Sequence, residues 1–330
     1  RLQLGMILIK NRTRTENACR MFPRMEDMAV FGKSLPFEMT NAQKRAVGDI
    51  IADMQGSSPM NRLLQGDVGS GKTAVAAAAA LFAAKNGFQT ALMAPTEILA
   101  AQHFSTLSEM LKPMGIAVCR VMGSMTKKQR AEAAERISLG ECMVAVGTHA
   151  LISGSTEFKN LGLVITDEQH RFGVGQRSAL AGKGVNPHKL VMSATPIPRT
   201  LALIIYGDLD VSVLNELPKG RQKTETYAVT AKLRERALGF VKKQLDEGGQ
   251  AYIVCPMIEE NENELAAAKG YAEGLKKTVL ADYRAGLLHG KMSAAEKDRV
   301  MAAFKEHELD ILVATTVVEV GVDVPNANII

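Results

Sequence analysis

Between Gly66 and Thr73 the chain reads GDVGSGKT, which fits the spacing G-x-x-x-x-G-K-[ST]. Glycines at Gly66, Gly69 and Gly71 let the backbone fold its N–H groups around phosphates. Lys72 then reaches the β- and γ-phosphates, and the Thr73 hydroxyl takes Mg²⁺. A second stretch, VITDEQHRFGVGQR from Val164 to Arg177, ends a run of β-formers in Asp167, Glu168, Gln169 and His170. Buried carboxylates are costly without a charged partner. The metal of the phosphate loop supplies that partner if Asp167 holds Mg²⁺ together with Thr73, while Glu168 orients or deprotonates the attacking water. An ion pair with Arg171 or Arg177 is the plainer alternative.

These residues need elements to hold them. The loop lies between the strand-like RLLQ and the helix-forming AVAAAAALFAA, the strand–loop–helix setting that phosphate binding requires. From Leu35 on, the β-rich runs NRLLQ, QTALMAP, IAVCRVM, CMVAVGT, LGLVITD and HKLVMSAT alternate with helical stretches, which predicts a parallel α/β sheet. The pattern lapses into turn chemistry at LNELPKGRQKTE and resumes with QAYIVCPM, AGLLHG, DILVATT and NANII, a second α/β lobe. The expected division is a helix and linker from an upstream domain over 1–33, a first lobe over 34–213, a linker over 214–228 and an incomplete second lobe over 229–330. Ser293 and Glu296 stand at capping-box spacing, as do Thr40 and Gln43. Thr96, Thr148 and Ser193 put hydroxyls at strand ends on the phosphate side of the sheet, where they could hold nucleic-acid phosphates. Each alone reads as a turn residue or helix cap.

The 330 residues suffice for two cores, and 46% hydrophobic with 23% charged residues is ordinary for a globular chain. A net charge of +5 admits a polyanionic partner without requiring one. Cys19, Cys119, Cys142 and Cys255 show neither metal-ligand nor disulfide spacing, which predicts a reducing compartment, the cytoplasm. The longest apolar run falls well short of the roughly 20 residues that span a bilayer. The chain opens on RLQLGMILIKNRTR and ends on NANII, which reads as a fragment.

The segments LPFEMTNAQ, LLQGDVGSGKT, LMAPTEILAAQH, VGTHALI, DEQHRFGVGQR, SATPIPRTLAL and LLHGKMSAAEKDRVMAAFKEHELDILVATTVVEVGVDVPNA form an ordered set over roughly Leu35 to Ile330. This set resembles the superfamily 2 helicases, in particular the RecG family. The resemblance implies two RecA-like P-loop NTPase lobes, the second truncated, that use ATP and Mg²⁺ to move along branched or duplex DNA. It implies adenine contacts from Gln43 and Phe37, a link from Gln169 and His170 to the SAT segment, a DNA phosphate near Thr315, and the nucleotide ribose near Gly321 and Asp323. For Gln43 the capping box with Thr40 is the competing reading. The family's arginine-bearing motif and its DNA-binding wedge would lie outside the given residues, so the intact protein is expected to hydrolyse ATP and unwind DNA while the isolated fragment is expected to be impaired in both. A monomer, with a single-stranded-DNA-binding protein as further partner, is the expected assembly. Rivals are a transcription-repair coupling factor-like translocase, which would show D-E-E-H where this chain has DEQH, a fragment that binds nucleotide or DNA without turnover, and an RNA-directed motor.

Overall fold

Ten of the hydrophobic runs read from the sequence form strands, six in one sheet and four in another. The computed structural model describes residues 18–152, 156–167, 179–194, 209–216, 225–255, 270–275, 278–289, 292–315, 324 and 326–330. The chain divides into two units, Arg1–Arg221 and Gln222–Ile330, so the expected linker over 214–228 straddles the boundary.

The first unit holds strands β1 (Asn61–Gly66), β2 (Gln89–Met93), β3 (Val118–Val121), β4 (Val144–Gly147), β5 (Leu161–Asp167), β6 (His188–Ser193) and β7 (Asp210–Leu214). They form one sheet in the order β3-β4-β2-β5-β6-β1-β7, and every pairing is parallel. Strands covered on both faces bury nearly every side chain and read as near-continuous apolar runs. All seven residues of β5 and all five of β2 are buried accordingly.

Helices α1 (Met25–Ser34), α2 (Asn41–Met54), α3 (Lys72–Lys85), α4 (Glu97–Leu111) and α5 (Lys127–Leu139) belong to this unit. In α3 every residue from Ala74 to Ala84 is buried, so the helix is apolar on all sides because it is covered on all sides. Its alanines allow close approach of the surrounding elements.

β7 was not among the runs read from the sequence. It is an edge strand of alternating character, and its Ser212 is buried by a polar network. The Ser212 hydroxyl accepts from Arg62 Nη1 at 2.8 Å and donates to Asp49 Oδ2 at 2.8 Å, and Arg62 Nε donates to Asp53 Oδ2 at 2.7 Å.

Residues 18–33, the described part of the segment 1–33 expected as helix and linker from an upstream domain, pack on the first unit. Met21 and Phe31 are buried in its core, and the Met21 N–H donates to the Met54 carbonyl at 3.0 Å. His188 fastens the same segment from β6. Its Nε2 donates to the Cys19 carbonyl at 2.9 Å and its Nδ1 accepts from the Met60 N–H at 3.0 Å, while burial pushes its pKa below the usual histidine value. The ring is neutral with its tautomer fixed by two backbone groups.

The second unit has strands β8 (Gln250–Val254), β9 (Ala285–Leu288), β10 (Ile311–Ala314) and β11 (Ala327–Ile329) in the order β11-β8-β10-β9, again all parallel. Its described helices include α6 (Arg234–Asp246) and α7 (Ala294–Lys305). The capping box expected at Ser293 and Glu296 forms, with each side chain accepting from the other's backbone N–H. Among the described residues no helix is long and apolar enough to cross a membrane.

Candidate nucleotide site

In a parallel α/β sheet the carboxyl ends of the strands are where ligands bind. Three neighbouring strands end there with the residues that the sequence had singled out. β6 pairs on one side with β1, placing Ser193 opposite Gln65, and on the other with β5, placing Met192 opposite Asp167. The phosphate loop that leaves β1 and the acid that ends β5 are therefore separated by one strand, about 10 Å at the usual interstrand spacing.

The loop has the backbone that its glycines predict. Gly69 and Gly71 have φ of 73° and 86°, and Gly71 is the N-cap of α3. A Cβ on Gly66 would lie 2.5 Å from Ser70 Oγ and 2.8 Å from Leu214 Cβ; one on Gly71 would lie 2.2 Å from Gln43 Nε2. Among the described residues the buried Ser70 hydroxyl has no hydrogen-bond partner. A loop with left-handed turns, leading into a helix N-terminus, forms the N–H-lined concavity that suits phosphates. Lys72 Nζ donates to the carbonyls of Gly66 at 2.7 Å and Asp67 at 3.1 Å, so the ammonium is held at the loop. Thr73 is half-buried at the next position. Its hydroxyl and the Asp167 carboxylate are the hard oxygen donors that Mg²⁺ prefers, so the residues present fit that ion.

Gln43 is 1% exposed and uses both ends of its amide. Its Oε1 accepts from the Thr40 N–H at 2.9 Å, completing the capping box, and its Nε2 donates to the Ser70 carbonyl at 2.8 Å. The start of α2 is thus tied directly to the phosphate loop. Phe37 lies 39% exposed, just ahead of that cap.

Gly71→Ala is accordingly expected to lower stability by at least about 1–2 kcal/mol through the left-handed backbone alone. It should also displace the Gln43 amide and weaken nucleotide binding at least about tenfold. Denaturant titration and calorimetry check both; parental values in the two would show that the loop tolerates a side chain.

Asp167 is buried, and its Oδ2 lies 2.7 Å from Nε2 of His103, which is also buried. His103 was not singled out from the sequence. It sits on the inward stripe of α4 with Leu99, Ala100, Leu107 and Leu111, where a lone histidine has no local signature and its partner is 64 residues away.

Among the hydroxyls, Thr96 is the N-cap of α4 and accepts from the Leu99 N–H at 3.4 Å. Thr148 follows β4 and Thr315 follows β10; both hydroxyls are buried and have no hydrogen-bond partner among the described residues. Glu168, Gln169, His170, Gly321 and Asp323 lie outside the described residues.

A phosphate loop, a strand-end acid and a second α/β unit make up the P-loop α/β architecture of helicases. The DEAD/DEAH box helicase family matches residues 40–204, and the helicase conserved C-terminal domain matches 232–330. The chain belongs to the DEAD/DEAH box helicases. It resembles the ATP-dependent DNA helicase RecG of Bacillus subtilis with 52% identity over 305 residues, 92% of this chain and 45% of that protein. RecG of Aquifex aeolicus is 49% identical over 330 residues, 99% of this chain and 41% of that protein. A solved structure of RecG bound to a three-way DNA junction superposes with a TM-score of 0.83 at 45% identity, over 99% of this chain and 43% of that one. The RecG resemblance carried by the motif set is borne out. The chain spans less than half the length of these relatives.

Proposed function

We propose that this chain carries the ATP-driven motor of a DNA helicase of RecG type, one that remodels branched DNA such as stalled forks and Holliday junctions during recombination and repair. The observation that carries the reading is the gathering of the phosphate loop, Ser193 and Asp167 at the ends of three adjacent strands.

In this account the loop N–H groups and Lys72 hold the triphosphate, Phe37 borders the adenine, and Gln43, whose amide is already bonded to Thr40 and Ser70, braces the loop rather than reaching the base. Thr73 and Asp167 would hold Mg²⁺, which when bound neutralises charge on the β- and γ-phosphates. Glu168 orients the water that attacks the γ-phosphorus and takes up its proton, as the bond to the ADP oxygen breaks. His170 relays the state of the γ-phosphate towards the SAT segment at the end of β6. Thr96, Thr148 and Thr315 contact DNA phosphates, and Gly321 with Asp323 borders the ribose. Phosphate contacts hold the duplex without reading its sequence, which suits a motor that must act on any branch. The protein works as a cytoplasmic monomer, with single-stranded-DNA-binding protein as a further partner.

A labelled three-way DNA junction tests the reading. A form of the protein that carries this chain together with the wedge and arginine-bearing segments of its relatives is expected, with Mg²⁺ and ATP, to convert it to separated products, and to fail with a non-hydrolysable analogue. Equal action on an RNA duplex would favour the RNA motor, and no ATP-dependent conversion would leave a binding module.

A further inference from the structure

We propose that His103 is a positioning residue that sets the Asp167 carboxylate and ties it to the helix beginning at Thr96. The proposal rests on Asp167 being the carboxylate on the metal side of the site. Four of the five buried positions on α4 are apolar, namely Leu99, Ala100, Leu107 and Leu111, and His103 is the fifth. A polar ring on such a stripe costs desolvation unless it is paired, and the 2.7 Å contact to Asp167 Oδ2 supplies the pairing. A carboxylate with one oxygen held by a ring nitrogen cannot rotate without losing that bond. Partners of this kind fix the orientation of a ligating group, and their loss typically costs 10- to 100-fold in metal affinity.

The other end of the lever is Thr96. It caps α4 at the end of β2, the strand that pairs with β5 through Met93 and Thr166. His103 stands seven positions beyond Thr96, about 10 Å along a stiff rod. A nucleic-acid phosphate that shifts the start of α4 therefore moves His103, and through it the plane of the Asp167 carboxylate. Engagement of DNA would be transmitted to the metal side of the ATP site by one helix and one hydrogen bond.

The test compares His103→Ala, His103→Gln and Asp167→Asn in the protein, with Mg²⁺ titrated calorimetrically in the presence of a non-hydrolysable ATP analogue. ATP turnover is then measured with and without a DNA junction. His103→Ala should weaken Mg²⁺ binding about 10- to 100-fold and lower the ratio of DNA-stimulated to basal turnover. Glutamine, whose amide nitrogen takes the place of Nε2, should restore most of both. If Asp167→Asn weakens Mg²⁺ binding and His103→Ala does not, the positioning role is overturned while the reading of Asp167 stands. If Asp167→Asn itself leaves Mg²⁺ binding unchanged, the reading of the site fails and the proposal with it. A lower melting temperature for His103→Ala with parental Mg²⁺ affinity and stimulation would mark the pair as packing alone, which also overturns the proposal. Should the alanine variant not fold, His103→Asn, polar but too short to reach Asp167, replaces it with the same expected losses.

Discussion

Replacing Lys72 by alanine is expected to lower ATP turnover by at least about 10²-fold, the usual loss when one preorganised electrostatic contact to developing charge is removed. The ammonium already sits at the loop on the carbonyls of Gly66 and Asp67, so binding phosphate needs only a local turn of the side chain. Alanine removes the charge and leaves the N–H groups of the loop in place. Arginine should not rescue it, because a planar guanidinium is larger and donates in a fixed fork, whereas the site was built around a compact point charge. Calorimetry with ATP and a steady-state turnover assay check the expectation. Equal affinity and turnover in Lys72→Ala and the parent would remove the loop lysine from the mechanism.

Glu168→Gln should separate binding from chemistry. Glutamine keeps the size of the side chain but cannot accept the proton of the attacking water, so turnover should fall by about 10²- to 10⁴-fold, the usual contribution of a general base. ATP affinity should stay near the parental value, because in the proposed site Lys72, Thr73, Asp167 and the loop, and not Glu168, would hold the phosphates and metal. The opposite pattern, with affinity lost and turnover kept for whatever ATP binds, would make Glu168 a metal-side residue. Asp167 would then be the candidate for handling water.

Much of this arrangement was legible in the residues themselves. Strands buried on both faces read as unbroken apolar runs, so β2, β4 and β5 stand out, and a parallel sheet follows from their alternation with helices. The loop at Gly66 to Thr73 was legible because glycines with left-handed backbone, as at Gly69 and Gly71, leave a local trace. β7 was not, because an edge strand alternates and its buried Ser212 depends on Arg62, which is 150 residues distant. The double use of Gln43 was half legible: its capping-box spacing is local, while its bond to the Ser70 carbonyl spans 27 residues. The placement of Met21 and Phe31 in the first core shows the same limit, since nothing within residues 18–34 says which surface they cover. His103 is the sharpest case. The segment around it carries Thr96 at a strand end, but the role of His103 depends on a contact that only the packing of α4 on the sheet creates.

The central claim is that the phosphate loop and the Asp167 strand end form an ATP site that answers to DNA. The most direct measurement is ATP turnover with Mg²⁺ by this chain extended through the arginine-bearing segment of its relatives, with and without a branched DNA junction, alongside Lys72→Ala as the blank. The account predicts turnover well above the blank and raised by the junction. Turnover indistinguishable from Lys72→Ala under both conditions, or turnover indifferent to DNA, would contradict it.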